Sequence, residues 1–403
     1  MPTLKLGNIG SLVTYDSIIE KMVYHKNIEI VISDDKIVDI GKKLGDADFF
    51  IDCKKKLVTP GFVDCHTHPV FLNNREDEFH MRVSEGLSYE EISNKGGGIS
   101  SSIAGVKNAS ESLLISRVKS RMDKFLSLGT TTVECKSGYG LDTKTELKSL
   151  KVIYEVNKTH EIDMVPTFMG AHDFPKEFIN DKDSFVDLIC DEMIPEVASQ
   201  GIAKFNDVFC ENGYFNLEQS EKILNVGRRY GLHPRMHADE FYDSGAANLA
   251  ADLKVVSADH LMEINCKGIE ALASSGVVGT LLPGTTFFLG KHKYAPYKNL
   301  EKNGVPVAIA TDYNPGSCSI QSMPFIIMLS CIYLHMNILE AIKSSTYIAA
   351  KSLMMENEIG SIEKGKKADV LVWNLSRVEE IPYFLDCQQL YLILKNGKSI
   401  FTA

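Results

Sequence analysis

The chain opens with short runs in which apolar and polar residues alternate. Ile28-Glu29-Ile30-Val31-Ile32 and Lys36-Ile37-Val38-Asp39-Ile40 are parted by Asp34-Asp35 and followed by Gly41. A period of two puts every second side chain on one face, so these runs predict strands joined by hairpin turns. The far end reads the same way. Ala368-Asp369-Val370-Leu371-Val372-Trp373, Leu390-Tyr391-Leu392-Ile393-Leu394 and Ser399-Ile400-Phe401 are strand-like, with Asn396-Gly397 as the turn before the last. Two β-rich ends around a mixed middle predict one small composite β-sandwich domain, residues 1–58 with 356–403, beside a central domain of residues 59–355.

In that middle, compact apolar runs alternate with stretches of helical period, the pattern of a parallel sheet with crossover helices. Candidate strands cover residues 61–66, 130–135, 164–169, 204–210, 232–237, 255–260, 277–282 and 306–311. One helix shows the reasoning: Ser110 is a plausible cap, Leu114, Val118, Met122 and Phe125-Leu126 recur at spacings of three to four, and Gly129 ends the run. The fold class is therefore α/β, a (β/α)8 TIM-like barrel, and 403 residues accommodate such a barrel of ~250 residues with an appended module.

Charge and cysteine content narrow the function. With 43 Lys+Arg against 53 Asp+Glu the net charge is -10, and no basic cluster suggests a nucleic-acid footprint. The nine cysteines are odd in number, scattered and free of C-x-x-C pairs, which predicts reduced thiols and a cytoplasmic location. The start of the sequence does not read as a signal peptide, and the most apolar run, residues 325–334, is too short to span a bilayer. Gly96-Gly97-Gly98-Ile99-Ser100 lacks the residues that accompany a phosphate loop, and is read as a flexible or backbone-donating loop over the first strand's mouth.

Chemistry collects where the barrel hypothesis puts strand ends, the face on which such barrels build their sites. Val63-Asp64-Cys65-His66-Thr67-His68-Pro69 closes the first strand, and imidazoles two apart on a strand point the same way. Other ends carry Glu134-Cys135-Lys136-Ser137-Gly138-Tyr139, Gly170-Ala171-His172, His237-Ala238-Asp239-Glu240, Asp259-His260 and Thr311-Asp312-Tyr313-Asn314. A lone histidine is ordinarily a satisfied imidazole, yet five of the eleven fall at these ends.

His66, His68, His237 and Asp312 are assigned as ligands of one divalent ion, three nitrogens and a carboxylate that leave a position open for water. Such an ion lowers the pKa of its water to ~7, so hydrolysis is the expected chemistry, with Asp312 also counted in the catalytic set. Glu240 either accepts the water's proton or holds a substrate N–H, and His260 either orients the water or stabilises an oxyanion. Which of the two is the base is left open. Arg75 is a candidate clamp for a substrate carboxylate, and Tyr139 and His172 are candidate hydrogen-bonding partners. Cys65, Cys135 and Cys210 read as buried fillers.

These motifs resemble the imidazolonepropionase family of the metal-dependent amidohydrolase superfamily, nearly from end to end. Leu57-Val58-Thr59-Pro60-Gly61-Phe62-Val63-Asp64-Cys65-His66-Thr67-His68 and Gly360-Ser361-Ile362-Glu363-Lys364-Gly365-Lys366-Lys367-Ala368-Asp369-Val370 mark the superfamily. His68-Pro69-Val70-Phe71 with Arg75, the Gly96 run, Glu134 to Leu141, His237-Ala238-Asp239-Glu240-Phe241 and Thr311-Asp312-Tyr313-Asn314-Pro315-Gly316 mark the family. The resemblance implies zinc or iron on the four ligands, and a substrate site that includes Arg75, Tyr139, His172, Glu240, Asn314, Gly316, Ser317 and Tyr89. It implies hydrolysis of the small molecule 4-imidazolone-5-propanoate to N-formimidoyl-L-glutamate in histidine degradation, by a homodimer. Asn73-Asn74 and Ser317-Cys318 depart from the family pattern, which touches loop detail. Strand four ends Cys210-Glu211, without the bridging lysine of two-metal relatives, so one metal per subunit is expected. Two alternatives stand beside this reading: another single-metal aminohydrolase acting on a purine-like or cyclic amidine ring, and a non-catalytic scaffold, which would ordinarily have lost its ligands.

Overall fold

A computed structural model describes residues 2–88, 91–92, 95–385 and 389–402. Eight parallel strands lie side by side in chain order: Phe62–Asp64, Thr130–Lys136, Asp163–Ala171, Phe205–Cys210, His233–Ala238, Ser257–His260, Val278–Leu281 and Val307–Ile309. All eight predicted barrel strands are found, and helices cross between them, as a parallel sheet requires. The helix Glu111–Ser127 follows its apolar stripe: Ser110 Oγ accepts from Leu113 N at 3.2 Å, and Leu114, Val118, Met122, Phe125 and Leu126 are buried.

The first and eighth strands are the shortest, at three residues each, and the seam between them is closed by a side chain. The buried Asp64 carboxyl accepts Thr311 N at 3.1 Å and Thr311 Oγ1 at 2.6 Å. Above the strands, Asp312 N donates to His66 O at 3.1 Å and His68 N to Tyr313 O at 2.8 Å. Closure at the mouth thus brings His66, His68 and Asp312 to one place.

Both chain ends build two further sheets. One orders Lys36–Gly41, Glu29–Ser33, Thr3–Gly7 and Phe49–Asp52; the other orders Lys398–Thr402, Leu390–Lys395, Val370–Trp373, Leu57–Pro60, Ser11–Asp16 and Lys21–His25. The turn between the last two strands has φ of 50° at Asn396 and 75° at Gly397, the twin left-handed residues of a tight hairpin. Period-two alternation sorts the second sheet's faces. Leu12, Val58, Val370, Val372, Leu392 and Leu394 join Leu6, Ile30 and Ile32 between the sheets. Val13, Leu57, Leu371, Trp373 and Ile393 pack instead into the barrel's core. Trp373 is buried edge-on to Phe62 at 5.8 Å, and its indole N–H donates to Thr59 Oγ1 at 2.8 Å. Truncating it would cost about 3–5 kcal/mol.

The eight described cysteines are free, and among the described residues no helix is long and apolar enough to cross a membrane.

Candidate active site

His66 and His68 leave the first strand and His237 the fifth, and one ring nitrogen of each lies within 4.8 Å of the others. Asp312 Oδ1 is 3.6 Å from both His66 Nε2 and His68 Nε2. Donors about 2.1 Å from one ion at tetrahedral angles lie roughly 3.4 Å apart, so this spacing suits a single divalent cation.

Two further observations fit a cation. His66 Nδ1 bonds Asp259 Oδ2 at 2.7 Å, which leaves Nε2 buried and without a hydrogen-bond partner. His237 Nδ1 likewise bonds Asp207 Oδ1 at 3.1 Å. A carboxylate behind each ring fixes the tautomer and aims the other nitrogen forward. Below them, Lys136 Nζ lies 2.8 Å from both Glu134 Oε1 and Asp207 Oδ2, and Arg235 Nη2 lies 3.2 Å from Asp259 Oδ2. With Asp312, this buried network holds four acidic groups, Glu134, Asp207, Asp259 and Asp312, against the two cations Lys136 and Arg235. A divalent ion would balance that excess in a dry interior.

Protonation points the same way. Burial first, and then the positive charge of Lys136, holds His66 well below the ordinary imidazole value; burial and neighbouring imidazoles do the same for His68 and His260. Metals bind the neutral form. Burial pushes Asp312 up to about 6 against the Thr285 hydroxyl bond, a rise that a bound cation opposes. Asp239, His260 and Asp312 have φ of 49°, 80° and 53°, left-handed backbone that is uncommon for non-glycine residues and that here sets the turns leaving the barrel strands.

A pocket open to solvent on one side lies above these donors. Of the sequence-predicted residues, His68, Arg75, Tyr139, His172, His237, Glu240, His260, Asp312, Asn314 and Ser317 line it. Gly316 lies behind Arg75, where an added Cβ would sit 1.6 Å from Nη2. Tyr89 lies outside the described residues. Asn314 is engaged internally: its Nδ2 donates to Asp312 O at 2.7 Å and to Ser317 Oγ at 2.8 Å, and its Oδ1 accepts Gly316 N at 2.9 Å and Ser317 N at 2.7 Å. It shapes the loop that carries its neighbours. His172 Nδ1 bonds Gly138 O at 2.8 Å, and burial takes the ring down to about 3, so a neutral Nε2 is left to accept. Glu240 Oε2 stands 3.6 Å from His260 Nε2, its carboxyl held well above the usual range by burial and then by Asp312.

Sequence reasoning gave no individual role to three groups. The buried charges Glu134, Lys136, Asp207, Arg235 and Asp259 sit inside strands, where a charge within an apolar run was the available signal. Glu146 accepts Gly138 N at 2.9 Å, Gly140 N at 2.7 Å and Leu141 N at 3.0 Å, and so holds the loop bearing Tyr139. Ile99, Phe209, Phe241 and Leu289 form the apolar wall. The cysteines beside the site are inert fillers as expected: burial pushes the Cys65 and Cys210 thiols up to about 12.

The profile of the amidohydrolase family matches residues 219–400. The imidazolonepropionase of Alkaliphilus metalliredigens (strain QYMF) is 43% identical over 378 residues, covering 92% of this chain and 89% of its own. That of Brevibacillus brevis (strain 47 / JCM 6285 / NBRC 100599) is 46% identical, covering 86% and 81%. The chain belongs to the imidazolonepropionase family. It is a hydrolase whose imidazole cluster is suited to a divalent metal. Solved structures share the fold at low identity. An atrazine chlorohydrolase from Arthrobacter aurescens complexed with zinc and atraton aligns with a TM-score of 0.79 at 16% identity, over 99% of this chain and 95% of that one. An adenosine deaminase from Xanthomonas campestris with bound zinc aligns at 0.76 and 17%, over 99% and 93%.

Proposed function

We propose that the chain hydrolyses 4-imidazolone-5-propanoate, opening the ring at its amide C–N bond to give N-formimidoyl-L-glutamate. The observation that carries this reading is the meeting, in one pocket, of a three-imidazole and aspartate donor set with the buried Arg75. His66, His68, His237 and Asp312 would hold one divalent ion per subunit, zinc or iron by the donor set, which when bound would supply Lewis-acid activation of water.

The chain's own residues do the rest. Arg75 holds the propionate through its guanidinium fork, which places the ring over the donors. Tyr139 and the neutral Nε2 of His172 hydrogen-bond the ring. Water adds to the ring carbonyl carbon, the C–N bond breaks, and the carbonyl becomes a carboxylate. Glu240, which lines the pocket beside His260, takes the water's proton and gives one to the departing ring nitrogen. His260, kept neutral by burial, supports the oxygen on which charge develops. Glu146, Asn314 and Gly316 keep these groups in place.

A cytoplasmic homodimer acting on this small molecule, with no nucleic-acid or membrane partner, completes the reading; the family resemblance, the free thiols and the acidic balance support it. The test is an assay with imidazolone propionate that follows both ring absorbance and ammonia. Loss of absorbance without ammonia release is expected. Ammonia from cyclic amidines or purines, with the imidazolone untouched, would favour an aminohydrolase instead.

A further inference from the structure

Arg75 precedes the helix Glu76–Glu85, whose third residue, Glu78, is buried though acidic. The two oxygens of Glu78 have separate duties. Oε1 accepts Gly98 N at 3.0 Å and Ser101 Oγ at 3.1 Å, anchoring the start of the helix Ile99–Asn108. Oε2 faces Arg75 Nη1 at 3.7 Å. The fit around it is close, since a Cβ on Gly97 would lie 3.1 Å from Oε1. Gly98 is followed by Ile99, which lines the pocket, so one carboxylate joins the guanidinium to the glycine-rich segment at the pocket's wall.

A buried carboxylate beside an arginine meant for an anionic ligand has a cost in attraction, because it offsets positive charge. Its benefit is orientation. A long side chain loses rotamer freedom when it grips a ligand, and a partner that has already fixed it removes that loss. At 3.7 Å the contact is longer than a hydrogen-bonded fork-to-fork pair, so Glu78 biases the guanidinium by charge rather than by gripping its donors.

We propose that Glu78 is a specificity-determining positioning residue. It sets the Arg75 guanidinium for a substrate carboxylate and ties that setting to the Gly98 backbone, so that the pocket discriminates a carboxylate arm from a neutral one of the same shape. This rests on the reading of Arg75 as the propionate clamp.

Glu78→Gln tests it, because the amide keeps an oxygen for Gly98 and Ser101 while neutralising the arm that faces Arg75. KM and kcat are measured on metal-loaded enzyme with 4-imidazolone-5-propanoate and with its propanamide counterpart. The propanoate KM should rise about tenfold with kcat within about twofold, and the propanamide KM should move less than about twofold. Glu78→Asp, which keeps the charge, should give a smaller rise confined to the propanoate, and serves if the glutamine variant does not fold. A propanoate KM that stays or falls, or an equal rise for both substrates, overturns the proposal. Arg75→Ala on the same pair separates the two claims: a preference for propanoate that survives it rejects the Arg75 reading itself, whatever Glu78 does.

Discussion

Asp207→Asn removes one negative charge from the base of the site while nearly preserving shape. Asp207 bonds His237 Nδ1 at 3.1 Å and Lys136 Nζ at 2.8 Å, and all three side chains are buried. Burial alone would raise this carboxyl, yet Lys136 and His237 hold it well below its ordinary value, so it is an anion in the folded protein. An asparagine presents one oxygen and one NH2 where two oxygens stood, and cannot serve both donors. Losing a carboxylate behind a metal-ligating histidine costs about 10–100-fold in metal affinity, or roughly 1.4–2.7 kcal/mol. Lys136 keeps Glu134 at 2.8 Å, so the folding penalty should be about 1–3 kcal/mol rather than that of a wholly stranded charge. The dissociation constant of the divalent ion by chelator competition, and Tm of the metal-free protein, separate the two effects. Affinity within twofold of wild type, whatever happens to Tm, would refute the argument that Asp207 acts on the ion through His237.

Two further outcomes follow from the packing. Gly316→Ala would put a Cβ 1.6 Å from Arg75 Nη2, so the guanidinium must move; KM for imidazolone propionate should rise at least about tenfold with Tm little changed, and an unaltered KM would contradict the placement of Arg75. Asp163 ties the barrel to the C-terminal segment through Lys395 at 2.8 Å and Lys367 at 3.2 Å. Burial opposes its ionisation, but these lysines hold its pKa below the ordinary carboxylate value, so the unfolded chain binds its proton more readily. Its contribution to stability is then full above the unfolded carboxyl pKa of about 3.9 and is lost as pH falls through the lower folded value. Asp163→Asn should lower Tm at neutral pH and flatten the decline of Tm below about pH 4; parallel acid limbs in the two proteins would exclude this.

How far the sequence reveals this molecule depends on which force shapes each part. The barrel strands were legible because burial on both faces makes them compact apolar runs, and the helix Glu111–Ser127 because its stripe, cap and stop agree. The first and eighth strands were read as six residues each but hold three, since the seam is closed by the Asp64 carboxyl and by backbone bonds above the strands, which no periodicity announces. At the site, residues at strand ends such as His237 and Asp312 stood out because the fold fixes where strand ends meet. Asp207 and Arg235 did not, because a charge within a strand has meaning only once its partners across the barrel are known. Asn314 was placed at the substrate by resemblance; its saturated amide makes it a builder of the loop as well as a lining residue. Glu146 and Glu78 lie on helices, where an acidic residue ordinarily faces solvent, and only the returning loops reveal what they hold.

The central claim is that three imidazoles and Asp312 together hold the ion on which hydrolysis depends. The most direct measurement titrates metal-free wild type and His237→Ala with zinc or iron(II), recording bound ion and loss of imidazolone absorbance on the same samples. Wild type should bind one ion per chain, with activity rising in proportion, and the variant should lose both. Full turnover by ion-free protein, or by a variant that no longer binds the ion, would contradict the account.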